Sequence, residues 1–419
     1  MTTTNRHVSR RRFLTHSATV GALAGASGLG EETTRGYQAT EDAGIASQYR
    51  GFLRKSIREL PTPALVIDLE IMERNIQTLA GYMKGRPVTF RPHGKAHKSP
   101  AIGKLQLAAG AKGLCAAKLG EADVLVRGGI KDVLITAEVI GRLKIARLMT
   151  LLAIAPDLKA VVDNEQNVVD LSEAALASKQ KLKVAIDCNV GQNRTGLGTP
   201  GEVVALAQVI ARHKGLELVG LQGYGGNNQH VKGFANRRTR AIQSNERVIA
   251  AREALEKAGF TVQLVSVGGT GTYNVDADFP GVTEIQPGSF VFMDANYNKI
   301  GGRDTTEFSE FGNALSVLTT VISRATAGRA IVDAGGKALS TDEAAPEPMD
   351  VTGVSYGVAG DEYGALRLTS PSRELPVGDQ VQIMPGHCDT TVNLHNVFFA
   401  ARKGVVEHVW PIEGRGRTD

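Results

Sequence analysis

Two lysines and two histidines crowd one short segment, Arg91-Pro92-His93-Gly94-Lys95-Ala96-His97-Lys98. A lysine amine attacks a carbonyl and holds it as an imine only after losing its proton, and neighbouring cations favour that loss. The segment follows a β-branched run and precedes Ser99-Pro100, a capping serine with proline in the first helical turn. The same charges also suit a plain solvated loop. A second candidate lies far downstream, in Met384-Pro385-Gly386-His387-Cys388-Asp389-Thr390-Thr391-Val392-Asn393-Leu394-His395. In an extended segment side chains alternate, so His387 and Asp389 share a face and Cys388 points the other way. An imidazole and a carboxylate on one face can hold a divalent cation and leave positions open for substrate. The spacing equally suits a strand histidine satisfied by its neighbour.

Weaker candidates lie between these two. Arg194 sits in a glycine-containing turn, Asp187 to Gly196, after an apolar run. Tyr224 and His230 end another run, and His230 suits either an acid–base group or a cap on the following helix. Two glycine-rich strand ends follow, Val267 to Tyr273 with Thr270 and Gly271, and Gln286-Pro287-Gly288-Ser289. Phosphate needs several backbone N–H groups converging without Cβ interference, which glycine permits.

From about Leu60 to Asp294 short β-branched runs alternate with amphipathic stretches, the pattern of repeated βα units. Asp68 is placed to cap a helix whose Met72, Ile76, Leu79 and Met83 form one stripe. Nine strands are expected, beginning at Ala64 to Ile67 and ending at Thr283 to Gln286. Eight close a (β/α) barrel, so the first should pair elsewhere. In such a barrel chemistry collects where strands end, which is where most of the candidates fall. No G-x-G-x-x-G opens a helix after the first strand, against a Rossmann domain. After about Arg303 alternating segments take over, including Gln380 to Met384 and Val392 to Ala400, with Asp342 to Pro348 as a surface loop. The expected organisation is a leader over 1–30, a linking segment over 31–59, an α/β barrel over 60–303 and a β-rich domain over 304–413.

The Arg91–Lys98 segment, with Leu60-Pro61-Thr62-Pro63-Ala64-Leu65-Val66-Ile67-Asp68 upstream and Gly113 to Leu125 downstream, resembles the fold-type III pyridoxal-phosphate family. Within it the chain is most similar to D-threonine aldolases, and next to D-serine and D-threo-3-hydroxyaspartate dehydratases, all related to the alanine racemase barrel. The resemblance implies that Lys95 carries the cofactor, that Arg194 lies near its phenolic oxygen, and that Tyr224 stacks on or bonds it. It implies phosphate contacts from Thr270, Gly271, Gly288 and Ser289, and a neutral Gln286 where the racemases set an arginine against the ring nitrogen. It implies a metal on His387 and Asp389, and the carboxylate favours manganese, magnesium or calcium over zinc. His230 is the candidate acid or base for the substrate hydroxyl. The expected activity is cleavage of D-threonine or a related D-β-hydroxy-α-amino acid to glycine and an aldehyde. The dehydratase reaction and a non-catalytic cofactor carrier are the alternatives, and a homodimer is expected.

Composition is compatible with this reading. Hydrophobic residues are 42% and charged residues 22% of 419, ordinary globular usage. The net charge of +5 owes four units to Arg6, Arg10, Arg11 and Arg12, and no acid precedes Glu31. The body is therefore near neutral, with no electrostatic case for nucleic acid. Three scattered cysteines make neither a disulfide framework nor a CxxC metal knuckle. No run approaches the length of a membrane span. Ser9-Arg10-Arg11-Arg12-Phe13-Leu14 before a Gly/Ala-rich stretch fits a twin-arginine leader, hence export of the folded chain by that machinery to the periplasm.

Overall fold

The computed structural model describes residues 47–419; the double-arginine string and the rest of 1–46 lie outside the described residues. Eight short parallel strands form one sheet: β2 Thr89–Phe90, β3 Leu114–Ala116, β4 Val133–Ile135, β5 Lys159–Val162, β6 Leu182–Asp187, β7 Leu216–Gly223, β8 Leu264–Val267 and β9 Glu284–Ile285. Their order runs β2-β9-β8-β7-β6-β5-β4-β3. The ring is completed by a parallel bridge between His93 and Cys115, with Cys115 N–H donating to Pro92 O at 2.9 Å. Small or slender side chains fill the middle, Cys115, Leu134, Val161, Ala185, Val219 and Leu264, all buried.

The strand that precedes these, β1 Ala64–Asp68, pairs elsewhere as expected. It runs antiparallel to β10 Leu315–Thr326 and parallel to β11 Val397–Arg402, within the nine-stranded second sheet. The second sheet is thus not confined to the C-terminal part of the chain. Tyr49 and Phe52, in the segment read as a linker, pack edge-on against Phe399 of that sheet, with ring centres 5.8 and 6.0 Å apart.

Local signals behave as their chemistry dictates. The Asp68 carboxylate accepts from Ile71 N–H at 3.0 Å and opens α1, Leu69–Met83, whose Met72, Ile76, Leu79 and Met83 are buried together. Ser99 precedes the next helix, α2 Pro100–Ala108, with proline in its first turn, yet the serine makes no side-chain cap bond. Instead its N–H donates to His97 Nδ1 at 3.1 Å. The expectation of a strand over Val392 to Ala400 holds only from Val397. A short helix, α3 Cys388–Val392, occupies the start because the buried Asp294 carboxylate caps it, accepting from Cys388 N–H at 2.9 Å. The other Asp294 oxygen accepts from Tyr297 N–H at 2.9 Å, so one side chain ties the end of the barrel to α3. No helix among the described residues is long and apolar enough to cross a membrane.

Candidate active site

The charged cluster after β2 separates once folded. Arg91 is 1% exposed and turns towards the N-terminal edge of the strands. There it donates to Glu284 at 3.0 Å and to Asp132 at 2.8 Å. His97 is fully buried, bonded to Gln106 Oε1 at 3.2 Å, and burial pushes its pKa down to about 4. Lys98 forms a buried ion pair with Glu121. His93 Nδ1 accepts from Lys95 N–H, so its neutral ring carries the proton on Nε2, which faces Thr136 Oγ1 at 3.2 Å. What remains is Lys95, on a single 3-10 turn over Gly94–Ala96, with its side chain 38% exposed into a cavity.

That cavity, about 350 Å³, opens at the C-terminal ends of the barrel strands. Lys95, Arg194, Tyr224 and Gln286 all line it, together with His93 and Glu138. The Arg194 guanidinium lies 5.4 Å from the centre of the Tyr224 ring. Gln286, almost wholly buried, donates to Ser266 Oγ at 2.9 Å and to Gln222 Oε1 at 3.3 Å. The glycine-rich ends form two 3-10 turns, Thr270–Thr272 and Ser289–Val291, joined by Phe290 N–H donating to Thr270 Oγ1 at 3.0 Å. Neither turn contributes to the cavity lining. Gly271 is not a free donor as its sequence setting suggested, since its N–H bonds Gln229 Oε1 at 2.9 Å. A Cβ there would meet Gln229 O at 2.0 Å, so this glycine answers to packing. Thr270 and Ser289 begin their turns, where N–H groups have no intrahelical acceptor, and Gly288 lies one residue ahead.

The expected environment of Lys95 is corrected. A crowd of cations does not lower its pKa; the Asp389 carboxylate, 3.2 Å away, raises it. Asp389 in turn is held well below the usual carboxylate range by Lys95 and then His387, against burial. The expected alternation along a strand is corrected too. His387 precedes α3 and Asp389 lies in its first turn, so a helix brings Asp389 to Lys95. Cys388 is buried and does not face away, for its thiol donates to Asp389 Oδ1 at 3.4 Å.

Loop residues supply what the sequence reading missed. Ligand atoms of Asp342, Glu343 and His387 lie within 4.8 Å of one another. Those acids stand in the segment read as a surface loop, 45 and 44 residues upstream of His387. Glu138, beyond β4, lines the cavity, and burial, with Asp187 and Asp163 adding, pushes its pKa up to about 7. Its Oε1 is buried with no partner among the described residues. His230 Nε2 is likewise unpartnered. Burial, then His387, lowers the His230 pKa to about 4, and its ring stands 4.3 Å from Tyr297.

These residues fit both expected groups. One amine opens onto a cavity lined by guanidinium, phenol and carboxamide, and Glu138 in its wall has a buried oxygen without a partner; His230 is not in that lining. An imidazole with several carboxylates is a donor set for a hard divalent cation. An eight-stranded parallel barrel whose strand-end lysine meets a carboxylate from α3, between strands of the second sheet in chain order, is the scaffold of the site. The chain belongs to the family described as alanine racemase, N-terminal domain, whose model matches residues 67–296, and a putative serine dehydratase domain matches 314–401. This is a fold-type III pyridoxal-phosphate family.

Within it the chain is 38% identical over 362 residues to the 3-hydroxy-D-aspartate aldolase of Paracoccus denitrificans (strain Pd 1222), covering 86% of this chain and 93% of the relative. It is 34% identical to the D-threonine aldolase of Arthrobacter sp., over 86% of this chain and 94% of that one. The solved D-threonine aldolase from Filomicrobium marinum superposes with a TM-score of 0.83 at 38% identity, covering 87% of this chain and 97% of that chain.

Proposed function

We propose that this chain is a pyridoxal-phosphate-dependent, metal-assisted lyase that cleaves D-configured β-hydroxy-α-amino acids to glycine and an aldehyde. The observation that carries it is the 3.2 Å pair between Lys95 Nζ and Asp389 Oδ2, which brings the lysine we assign to the cofactor against the carboxylate we assign to the metal. Likeness to two aldolases supports the choice of bond. When bound, the cofactor supplies the sink for the electron pair of the breaking Cα–Cβ bond. A divalent cation on His387 and Asp389 supplies a Lewis acid for the β-hydroxyl.

The remaining chemistry belongs to side chains. Lys95 would hold the cofactor, with its amine beside the Asp389 carboxylate at 3.2 Å. His230, kept neutral by burial and with Nε2 unpartnered, is the candidate acceptor of the hydroxyl proton. Arg194 favours the ionised phenolic oxygen. Tyr224 packs beside it, and Gln286 offers the ring nitrogen a neutral partner. Thr270, Gly271, Gly288 and Ser289 are the phosphate candidates, with Thr270 and Ser289 ahead of Gly271, whose N–H is taken.

Incubation with D-threonine, D-serine and D-threo-3-hydroxyaspartate, with and without manganese and with chelator, tests the reading. The expected products are glycine plus acetaldehyde from D-threonine and glycine plus glyoxylate from the hydroxyaspartate, lost on chelation. Ammonia and 2-oxobutanoate from D-threonine would overturn it in favour of a dehydratase. We also infer export of the folded chain to the periplasm through Arg10 and Arg11, checked by replacing both with lysine and following periplasmic recovery. Pairing into a homodimer is checked by the solution mass.

A further inference from the structure

We infer that Asp342 positions His387 for its cation, accepting the hydrogen bond from Nδ1 and leaving Nε2 as the metal-facing nitrogen. The inference rests on the reading of His387 as a metal ligand and deepens it. Asp342 Oδ2 stands 3.2 Å from His387 Nδ1. The other oxygen, Oδ1, accepts from the Ser340 hydroxyl and from Thr390 Oγ1 at 3.0 Å. The carboxylate is therefore held from both sides of a junction, one bond from its own loop and one from α3.

The junction itself is built for close approach. A Cβ on Gly386 would lie 1.8 Å from Ala344 O, so only glycine lets the 340–344 backbone pass beside the residue before His387. Ser340 N–H donates to Thr391 Oγ1 at 3.2 Å, and Asn296 N–H donates to Gly386 O at 3.3 Å, fixing both sides of the pass. His387 Nε2 has no protein partner among the described residues, whereas Nδ1 is engaged. A neutral imidazole with its proton fixed on Nδ1 presents a lone pair at Nε2, and a carboxylate partner makes that nitrogen a stronger donor. Asp342 acts on the ion through the ring, since binding the ion with Oδ2 would require breaking the bond to His387.

Manganese titration into the chelated holoenzyme by calorimetry, with the wild type and Asp342→Ala, Asp342→Asn and His387→Ala, tests this. A second readout is the ¹⁵N spectrum of the metal-free His387 ring, followed to alkaline pH until the neutral tautomer is observed. Asp342→Ala should weaken manganese binding by about 10- to 100-fold and lose the Nδ1–H tautomer. Asp342→Asn keeps an acceptor for Nδ1–H, and should keep the tautomer and most of the affinity. Unchanged affinity and tautomer in Asp342→Ala would overturn the inference. So would Asp342→Asn binding as weakly as Asp342→Ala with the tautomer intact, which would make Asp342 a direct ligand. His387→Ala separates the two levels: if it binds manganese like the wild type, the metal reading itself fails; if it alone loses binding, only the role of Asp342 fails.

Discussion

The segment after β2 and the segment around α3 each gather several chemically able residues within a few positions, yet folding treats them in opposite ways. After β2 it disperses the cluster: Arg91 goes to Glu284, His97 to Gln106 and Lys98 to Glu121, leaving Lys95 and the neutral His93 at the cavity. Around α3 it recruits, bringing Lys95 to Asp389 and Asp342 to His387 from far along the chain. The difference follows from backbone geometry. A strand end passing into a 3-10 turn and then a helix points successive side chains in different directions, whereas a loop pressed against a helix start converges several elements on one spot. Proximity in sequence therefore singles out one cavity-lining lysine among its neighbours, and proximity in space assembles the acidic residues around His387.

The largest effects are expected at the two lysines. Lys95→Ala should abolish the cofactor's imine absorption band and cut turnover by on the order of 10³-fold or more. Lys98→Ala should keep the band and instead lower stability by about 3 kcal/mol, because Glu121 is left buried with only its backbone donors. A surviving band in Lys95→Ala, carried by Lys98, would reverse the assignment. At the recruiting end, Asp389→Ala should remove manganese dependence together with roughly 10²- to 10³-fold of the rate, read in steady-state assays with and without chelator.

Acid sensitivity sharpens the dispersal argument. His97 has its folded pKa lowered to about 4 from 6.5, so protonation favours the unfolded chain. Its contribution is fully present above about pH 6.5 and is lost as pH falls towards 4, by up to about 3 kcal/mol. Urea unfolding at several pH values should show a shallower pH dependence in His97→Gln; an unchanged slope would mean that the ring is not buried neutral. Glu138, titrating near 7, changes the charge of the cavity wall around neutrality. Glu138→Gln should flatten a limb of the pH–rate profile there, by a few-fold. The smallest effect is expected from Cys388→Ala, within about threefold, since a weak thiol donor to Asp389 is all that is removed.

By itself the sequence determined the βα alternation, the displaced first strand, the buried stripe of α1 and the strand-end location of Lys95, Arg194, Tyr224 and Gln286. Those features are local or periodic, and periodicity of 2 or 3.6 residues is written into side-chain order. Only the tertiary structure decided that His387 and Asp389 meet the barrel through a helix and not a strand. Five residues are too few for a period, and the helix exists because Asp294, some ninety positions earlier, caps it. The same holds for the sign of the Lys95 shift, for Asp342 and for Glu138. Each depends on which charge ends up within a few ångströms, and Coulomb interactions are set by distance through space, not by separation along the chain.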